Sequence, residues 1–320
     1  MSQISNLTSP ISISKMLAIG IDIGGTRTKI GLVDIENGSV IDVLISPTET
    51  KDGHWFLANI AMAINTFKTY AERNNKQLIG IGFGIPGFVF ENGVVDSTYG
   101  FLEFMEDYPL KAIIERQHQL PCKLDNDARV VTLGEALYGE GNGFNRVLVL
   151  TLGTGLGLGF TINGKLNEAL AYAHMGGNIT ITSNQIKCYC GKTGCLESLA
   201  SATGLCNAAE RINWRTKYPD IPITAENIFK ERNNGNTEAE LLVADFIAYL
   251  KIGIDTYINL FAPDKIVLGG GVAKGLANDL EKFYSNELLR PYKNYKVSIG
   301  VSKLEEQAGI LGSAALFFIS

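Results

Sequence analysis

The chain has 320 residues, of which 46% are hydrophobic, and a formal net charge of −5. That apolar share can bury a sizeable core, which excludes a disordered tail protein, and the acidic balance argues against a nucleic-acid surface as the main partner. Its 35 glycines against 9 prolines exclude collagen-like and linker compositions and leave the glycines to tight turns and close backbone approaches.

Met1 to Met16 is polar and rich in Ser and Thr, with no charged-then-apolar export pattern, so a cytoplasmic protein is expected. Leu17 to Ile23 is a short apolar, β-branched run. A glycine turn and a second run, Thr28 to Asp34, follow it and predict a β-hairpin. Asp52 predicts the cap of a helix with Phe56, Ile60, Ile64 and Phe67 at helical spacing. Leu78 to Ile85 reads as a buried strand ending at Pro86-Gly87, Leu110 to Gln119 as a short helix, and Cys122 to Asp125 as a strand. Ala128 to Tyr138 reads as a helix and Arg146 to Leu152 as a strand. This alternation of strands and helices argues for an α/β fold. Val147 to Gly164 is long and uncharged enough for a membrane span. It is studded with Gly153, Gly155, Gly157 and Gly159, however, so strand and turn explain it better, with a further turn at Asn163-Gly164.

The second half is more helical. Thr237 and Glu240 predict a capping box that opens a long helix through Phe246, Leu250, Ile254 and Ile258, ended by Pro263. Lys265 to Leu268 then predicts a strand, and Ala308 to Phe318 is helical in character. No solenoid period is present, but a two-fold echo is: a strand running into a glycine turn near Asp22 recurs near Gly153.

Three glycine turns carry the first chemistry. In Asp22-Ile23-Gly24-Gly25-Thr26-Arg27-Thr28 a strand delivers a carboxylate to a turn whose backbone N–H groups, with the Thr26 and Thr28 hydroxyls, suit phosphate. Asp22 would stand where a phosphate-bound Mg²⁺ needs an oxygen ligand. Leu152-Gly153-Thr154-Gly155-Leu156-Gly157 repeats that chemistry at a second strand end. A dinucleotide fingerprint is the rival, but strand rather than helix follows. In Val267-Leu268-Gly269-Gly270-Gly271-Val272 the bare backbone would let a flat ring such as adenosine lie close. Any one of these is weak alone, and together they favour a nucleotide cleft.

Leu124-Asp125-Asn126-Asp127 places short carboxylates at a strand end, where one can accept the proton of an attacking hydroxyl, and Asn126 suits a sugar hydroxyl. The same residues would make an Asx turn capping the helix from Ala128, and spacing does not choose between the two. Cys188-Tyr189-Cys190-Gly191-Lys192-Thr193-Gly194-Cys195-Leu196-Glu197 crowds three of the five cysteines into one segment, which predicts a Zn²⁺ site. Of the three histidines, His54 falls at a helix start and His118 in a helix, so His174 is the expected fourth ligand of a closed, structural Cys₃His site. That metal would pin the loop carrying His174 and Glu197.

These segments make the chain similar to the ROK family of repressors and sugar kinases, bacterial relatives of hexokinase, from about Leu17 to the C-terminal helix. Asp22-Ile23-Gly24-Gly25-Thr26 resembles the family's first phosphate loop, Leu152 to Gly159 its second, and Val267 to Val272 its adenosine segment. Gly84-Ile85-Pro86-Gly87 resembles a turn beside the sugar, and the cysteine segment resembles the family's zinc signature. The resemblance implies a two-domain α/β fold of the actin-like ATPase (hexokinase and ribonuclease H-like) type with its cleft between the domains. The expected division is 1–123 with 306–320, and 124–305. It implies an ATP-dependent hexose kinase using Mg²⁺ and a structural Zn²⁺, with Asp127 as the base and a homodimer as the assembly. Gly87, Asn126, Asp127, His174 and Glu197 would meet the sugar. Repressor members carry a DNA-binding domain before the first loop. Only 21 residues precede Asp22 here, so the kinase branch, without nucleic-acid or membrane partners, is expected.

The chain also departs from the family. Sugar kinases usually carry Glu-x-Gly-His before the cysteines, and the corresponding stretch is Ala171-Tyr172-Ala173-His174, without the carboxylate. An Asn in the loop after the Gly84 to Gly87 turn is replaced by Ser97-Thr98-Tyr99-Gly100-Phe101, and Arg129 follows Ala128 where a small or amide residue is common. A mediocre response to glucose is therefore expected, with another epimer or an N-acetylhexosamine preferred. The runner-up reading is a sugar- or nucleotide-sensing protein without turnover.

Overall fold

The expected hairpin opens the first of two five-stranded sheets among the described residues. The computed structural model describes residues 16–90, 92–97, 102–166, 174–283 and 295–318. In it β1 (Met16–Ile23) and β2 (Arg27–Asp34) pair antiparallel, and β3 (Ser39–Pro47) continues the meander. On the other side of β1 lie β4 (Gln77–Ile85) and then β7 (Cys122–Asn126), both parallel to it, giving the order β3-β2-β1-β4-β7. Between them β5 (Phe88–Val89) and β6 (Val95–Asp96) form a small hairpin beyond Gly87. The residues 98–101 of the departing loop lie outside the described residues, as do Ala171-Tyr172-Ala173.

The second sheet repeats this plan. A meander of β8 (Arg146–Leu152), β9 (Leu156–Ile162) and β10 (Lys165–Leu166) is followed by two parallel strands, β11 (Lys265–Gly269) and β12 (Ser298–Val301), in the order β10-β9-β8-β11-β12. The two-fold echo in the sequence is therefore a repeated topology. The uncharged stretch from Val147 is the β8–β9 hairpin, turned again at Asn163 (φ 52°) and Gly164 (φ 70°). Among the described residues no helix is long and apolar enough to cross a membrane.

The helices bury the faces that periodicity assigns to them. In α1 (Gly53–Arg73) the Asp52 carboxylate accepts from the N–H groups of His54 and Trp55, and Phe56, Ile60, Ile64 and Phe67 are buried on the first sheet. α2 (Leu110–His118) ends at Gln119 in the left-handed conformation, and α3 (Asp127–Tyr138) packs against strands of both sheets. The second sheet carries α4 (Ala202–Arg211), α5 (Trp214–Lys217), α6 (Ala225–Asn233) and α7 (Thr237–Phe261). The α7 cap differs from expectation by one residue. The Asn236 amide oxygen, not Thr237, accepts from Glu238 and Ala239, because an Asn already stands where the chain turns into the helix.

α8 (Ala308–Ala315) returns to the first sheet and crosses α3. The crossing is so close that a Cβ at Gly312 would overlap the Val130 carbonyl, and one at Gly82 of β4 would overlap that of Ser313. β7 stays paired with β4 as far as Asn126, so the first sheet reaches three residues beyond the boundary expected at 123.

Candidate functional site

Parallel pairing brings the carboxyl ends of β1, β4 and β7 to one edge. Asp22 stands opposite Gly84, and Gly84 opposite Asp125, while the antiparallel neighbour of Asp22 is Lys29. The glycine turn after β1 is closed by Gly24 N–H on the Arg27 carbonyl at 3.1 Å, and Thr48 Oγ1 donates to the Gly24 carbonyl at 2.7 Å. Thr26 is exposed and free to meet a ligand, and a Cβ at Gly25 would meet nothing within 4 Å. Thr28 is different from expectation. It is buried, and its hydroxyl pairs with Thr48 Oγ1 at 3.0 Å, because strand alternation turns it to the interior.

Asp22 is walled in. Lys29 Nζ lies 3.9 Å from its Oδ2 and 3.6 Å from Glu306 Oε2, and a Cβ at Gly309 would fall 2.6 Å from the same Oδ2. Burial pushes its carboxyl above the ordinary aspartate range. Lys29, Glu306 and Gly309 were not legible as site residues. Counting the hairpin register from the turn would have found Lys29, whereas Glu306 and Gly309 arrive from the far end of the chain.

Of the two readings left open at Asn126-Asp127, the structure shows the cap. Asn126 is the cap: its Oδ1 accepts from Ala128 N–H at 2.9 Å and Arg129 N–H at 3.2 Å. Its Nδ2 donates to Asp127 Oδ1 at 2.8 Å and to the Gly87 carbonyl at 3.0 Å, tying the cap to the turn after β4. Asn126 is thus engaged with protein groups at both ends of its amide. Asp127 itself opens α3. Burial, with the Asp22 charge adding to it, pushes its carboxyl up to about 7 against the pull of the Ala128 N–H at 2.9 Å. Arg129, one of the departures, is buried in a two-point ion pair with Asp125: Nε to Oδ1 at 2.6 Å and Nη2 to Oδ2 at 3.2 Å.

The second sheet presents the other two glycine turns side by side, since Gly269 pairs with Thr151 at the ends of β11 and β8. Gly153 N–H donates to the Gly155 carbonyl at 3.0 Å, and Ala202 N–H, at the start of α4, donates to the Gly153 carbonyl at 2.8 Å. Thr154 is exposed, and a Cβ at Gly153 or Gly271 would meet nothing within 4 Å, so a ligand can lie against this backbone. Gly270 takes φ +83° and brings Val272 N–H to the Leu152 carbonyl at 3.1 Å. Glu197 is buried under this loop with Oε2 accepting from Leu156 N–H at 3.0 Å, and burial raises its carboxyl. Leu156 is a partner that sequence spacing did not indicate.

The three cysteines come together as expected. The Sγ atoms of Cys188, Cys190 and Cys195 lie within 4.8 Å of one another, and Cys190 and Cys195 are 3.7 Å apart. Tetrahedral zinc with Zn–S of about 2.3 Å requires sulfurs about 3.8 Å apart, so the thiols fit such an ion. His174 does not join them. Its ring packs on Phe88 of β5 at a centroid distance of 5.1 Å, and the 3₁₀ turn Met175–Asn178 separates it from the cluster. The residue of that turn that reaches the thiols is Asn178.

Comparison with known proteins matches this geometry to a family. The sequence profile of the ROK family matches residues 18–318. The chain is 33% identical to the glucokinase of Halalkalibacterium halodurans, over 93% of this chain and 94% of that one. It is 26% identical to the xylose repressor of Caldicellulosiruptor bescii, over 93% of this chain and 77% of the repressor. Among solved structures, the ROK family glucokinase of Streptomyces griseus in complex with glucose and AMPPNP superposes with a TM-score of 0.78 at 26% identity, covering 94% of this chain and 98% of that one.

Proposed function

The chain belongs to the ROK family and shares the actin-like ATPase fold of its solved relatives, and from that premise we propose an ATP-dependent sugar kinase. It would move the γ-phosphate of MgATP to a hydroxyl of a hexose or N-acetylhexosamine in the cytoplasm. The proposed domains follow the two sheets: the first, expected over 1–123 with 306–320, extends to the end of β7 at Asn126, and the second runs from there to 305.

The observation that carries this reading is the alignment of Asp22, the Gly84 to Gly87 turn and Asp127 along one sheet edge, with Asp127 held at about 7. A base near the working pH is the best compromise between being unprotonated and accepting a proton readily. In the proposed step Asp127 takes the proton of the sugar hydroxyl, the hydroxyl oxygen bonds to the γ-phosphorus, and the bond to the β-phosphate oxygen breaks to release ADP. Gly24, Gly25 and Thr26 on one side and Gly153, Thr154 and Gly155 on the other would donate to the phosphates, and Gly269, Gly270 and Gly271 would border the adenosine. Mg²⁺ on the phosphates would neutralise the charge developing there, with Asp22 as its carboxylate ligand. Asn126 orients the base, and Gly87, His174 and the outer oxygen of Glu197 would meet the sugar. The cysteines would hold Zn²⁺ in a structural role.

ADP release on addition of a panel of hexoses and N-acetylhexosamines tests the proposal. A sugar-dependent rise in ADP supports it. Sugar binding with no ADP formed would place the chain with non-catalytic sensing proteins, a reading that its likeness to a repressor keeps in view.

A further inference from the structure

One side of the thiol triangle is closed by an amide. We infer that Asn178 supplies the fourth donor to a metal ion held by Cys188, Cys190 and Cys195, through its side-chain oxygen, and that the site therefore exchanges its ion faster than a Cys₃His site would. The inference rests on the reading of the cysteines as a metal site.

Asn178 is buried, and three contacts fix it against the cluster. Its amide nitrogen lies 3.4 Å from Cys188 Sγ, its own carbonyl oxygen 3.6 Å from Cys195 Sγ, and its Oδ1 3.4 Å from the Tyr189 hydroxyl. With Zn–S of about 2.3 Å and Zn–O of about 2.1 Å, a tetrahedral ion sets oxygen and sulfur about 3.6 Å apart, close to the 3.4 Å between the end of the amide and Cys188 Sγ. The amide nitrogen and oxygen exchange places by a half-turn of the side chain, and the Tyr189 hydroxyl can donate to one or accept from the other. A half-turn of the amide that now donates to Cys188 Sγ would set its oxygen toward the ion and its N–H toward Tyr189.

The main-chain carbonyl of Asn178 is a poorer donor to the ion. Lys192 Nζ already sits on it at 2.6 Å, and an ammonium resists a second cation on the same oxygen. Lys192 has another part to play. Three thiolates around a divalent ion leave one negative charge, which the ammonium balances. Among the described residues no histidine, aspartate or glutamate joins the three thiols. His174 is four residues back along a 3₁₀ turn, about 8 Å at about 2.0 Å per residue, with its ring on Phe88.

An amide oxygen is a harder and weaker ligand for zinc than imidazole, so the site should bind less tightly than a Cys₃His site and exchange its ion faster. The test is chelator competition for Zn²⁺, with the absorption spectrum of the Co²⁺-loaded full-length protein, for wild type, Asn178→Ala, Asn178→His and His174→Ala. We expect Asn178→Ala to weaken Zn²⁺ binding about tenfold or more and to shift the Co²⁺ d–d bands. Asn178→His should tighten binding by a similar factor, and His174→Ala should change neither reading. If Asn178→Ala fails to fold by circular dichroism, Asn178→His carries the test alone, and no tightening overturns the inference. Metal that binds the cysteines but responds to His174→Ala and not to either Asn178 variant overturns it while leaving the metal site standing. A folded wild type that binds no Zn²⁺ or Co²⁺ overturns both.

Discussion

The amide nitrogen of Asn126 lies 2.8 Å from Oδ1 of Asp127, while the oxygen of the same amide caps the helix that Asp127 opens. One side chain therefore holds the strand end, the helix start and the carboxylate together. Asp127 cannot swing away without losing the bonds that its Oδ1 accepts from Asn126 Nδ2 and Ala128 N–H. A carboxylate fixed in this way is held in place for the role proposed for it.

Its raised carboxyl makes both activity and stability depend on pH. As the proposed base, Asp127 would work only when unprotonated, so kcat/KM for the sugar should fall as the pH drops below about 7, following the free enzyme. Stability runs the other way. An acid raised on folding from about 3.9 to about 7 favours the folded state below the lower value, and that contribution is lost as the pH rises through the upper one. Asp127→Asn, which cannot ionise, should gain in melting temperature over wild type between pH 5 and pH 8, by about 2–4 °C for each kcal/mol recovered. Melting curves that shift in parallel across that range would contradict the assignment.

Gly309 touches no expected ligand yet should matter to Mg²⁺. A methyl group there would fall 2.6 Å from Asp22 Oδ2 and push the carboxylate aside. Misplacing a catalytic group by about 1 Å can cost about 10²-fold in rate. We expect Gly309→Ala to lower kcat/KM for MgATP by that order and to raise the Mg²⁺ concentration giving half-maximal rate. Unchanged Mg²⁺ dependence in a folded variant would remove Asp22 from the metal's ligands.

One zinc per chain is expected in protein purified without chelator, and it should hold the loop between Gly177 and Glu197. Cys195 is fully buried, and Cys195→Ser should lower both the zinc content and the melting temperature, because metal binding and folding of the loop are one equilibrium. Elemental analysis finding no zinc, or a chelator that leaves the melting temperature untouched, would count against the site.

Sugar choice follows from the carboxylate missing at Ala171. A lost charge-assisted hydrogen bond costs about 1.5–3 kcal/mol, or roughly one to two decades in kcat/KM. Glucose should therefore rank below another epimer or an N-acetylated hexosamine in kcat/KM measured over glucose, mannose, fructose, allose, N-acetylglucosamine and N-acetylmannosamine. Glucose clearly ranking first would show the loss to be compensated.

Local signals were legible and distant ones were not. The β1–β2 hairpin, the Asp52 cap and the β8 strand follow from patterns a few residues wide, and all three stand where those patterns put them. The α7 cap missed by one residue because Asn236 and Thr237 are both good caps and only the turn geometry decides between them. The wall around Asp22 comes from Glu306 and Gly309, which close against β1 only when α8 crosses the sheet, and no local pattern reports such a crossing. The three thiols were legible from their spacing. Their fourth neighbour was not, since ligand type pointed to the imidazole of His174 while the 3₁₀ turn delivers the amide of Asn178.

The measurement that tests the central claim most directly is kcat of Asp127→Asn on the best sugar, taken with its affinity for MgATP. The substitution keeps the size of the side chain and its place at the start of α3, and removes only the base. A positioned base contributes about 10²–10⁴-fold, so kcat should fall by that factor while MgATP binds as before. A folded Asp127→Asn protein that turns over at a near-normal rate would contradict the account.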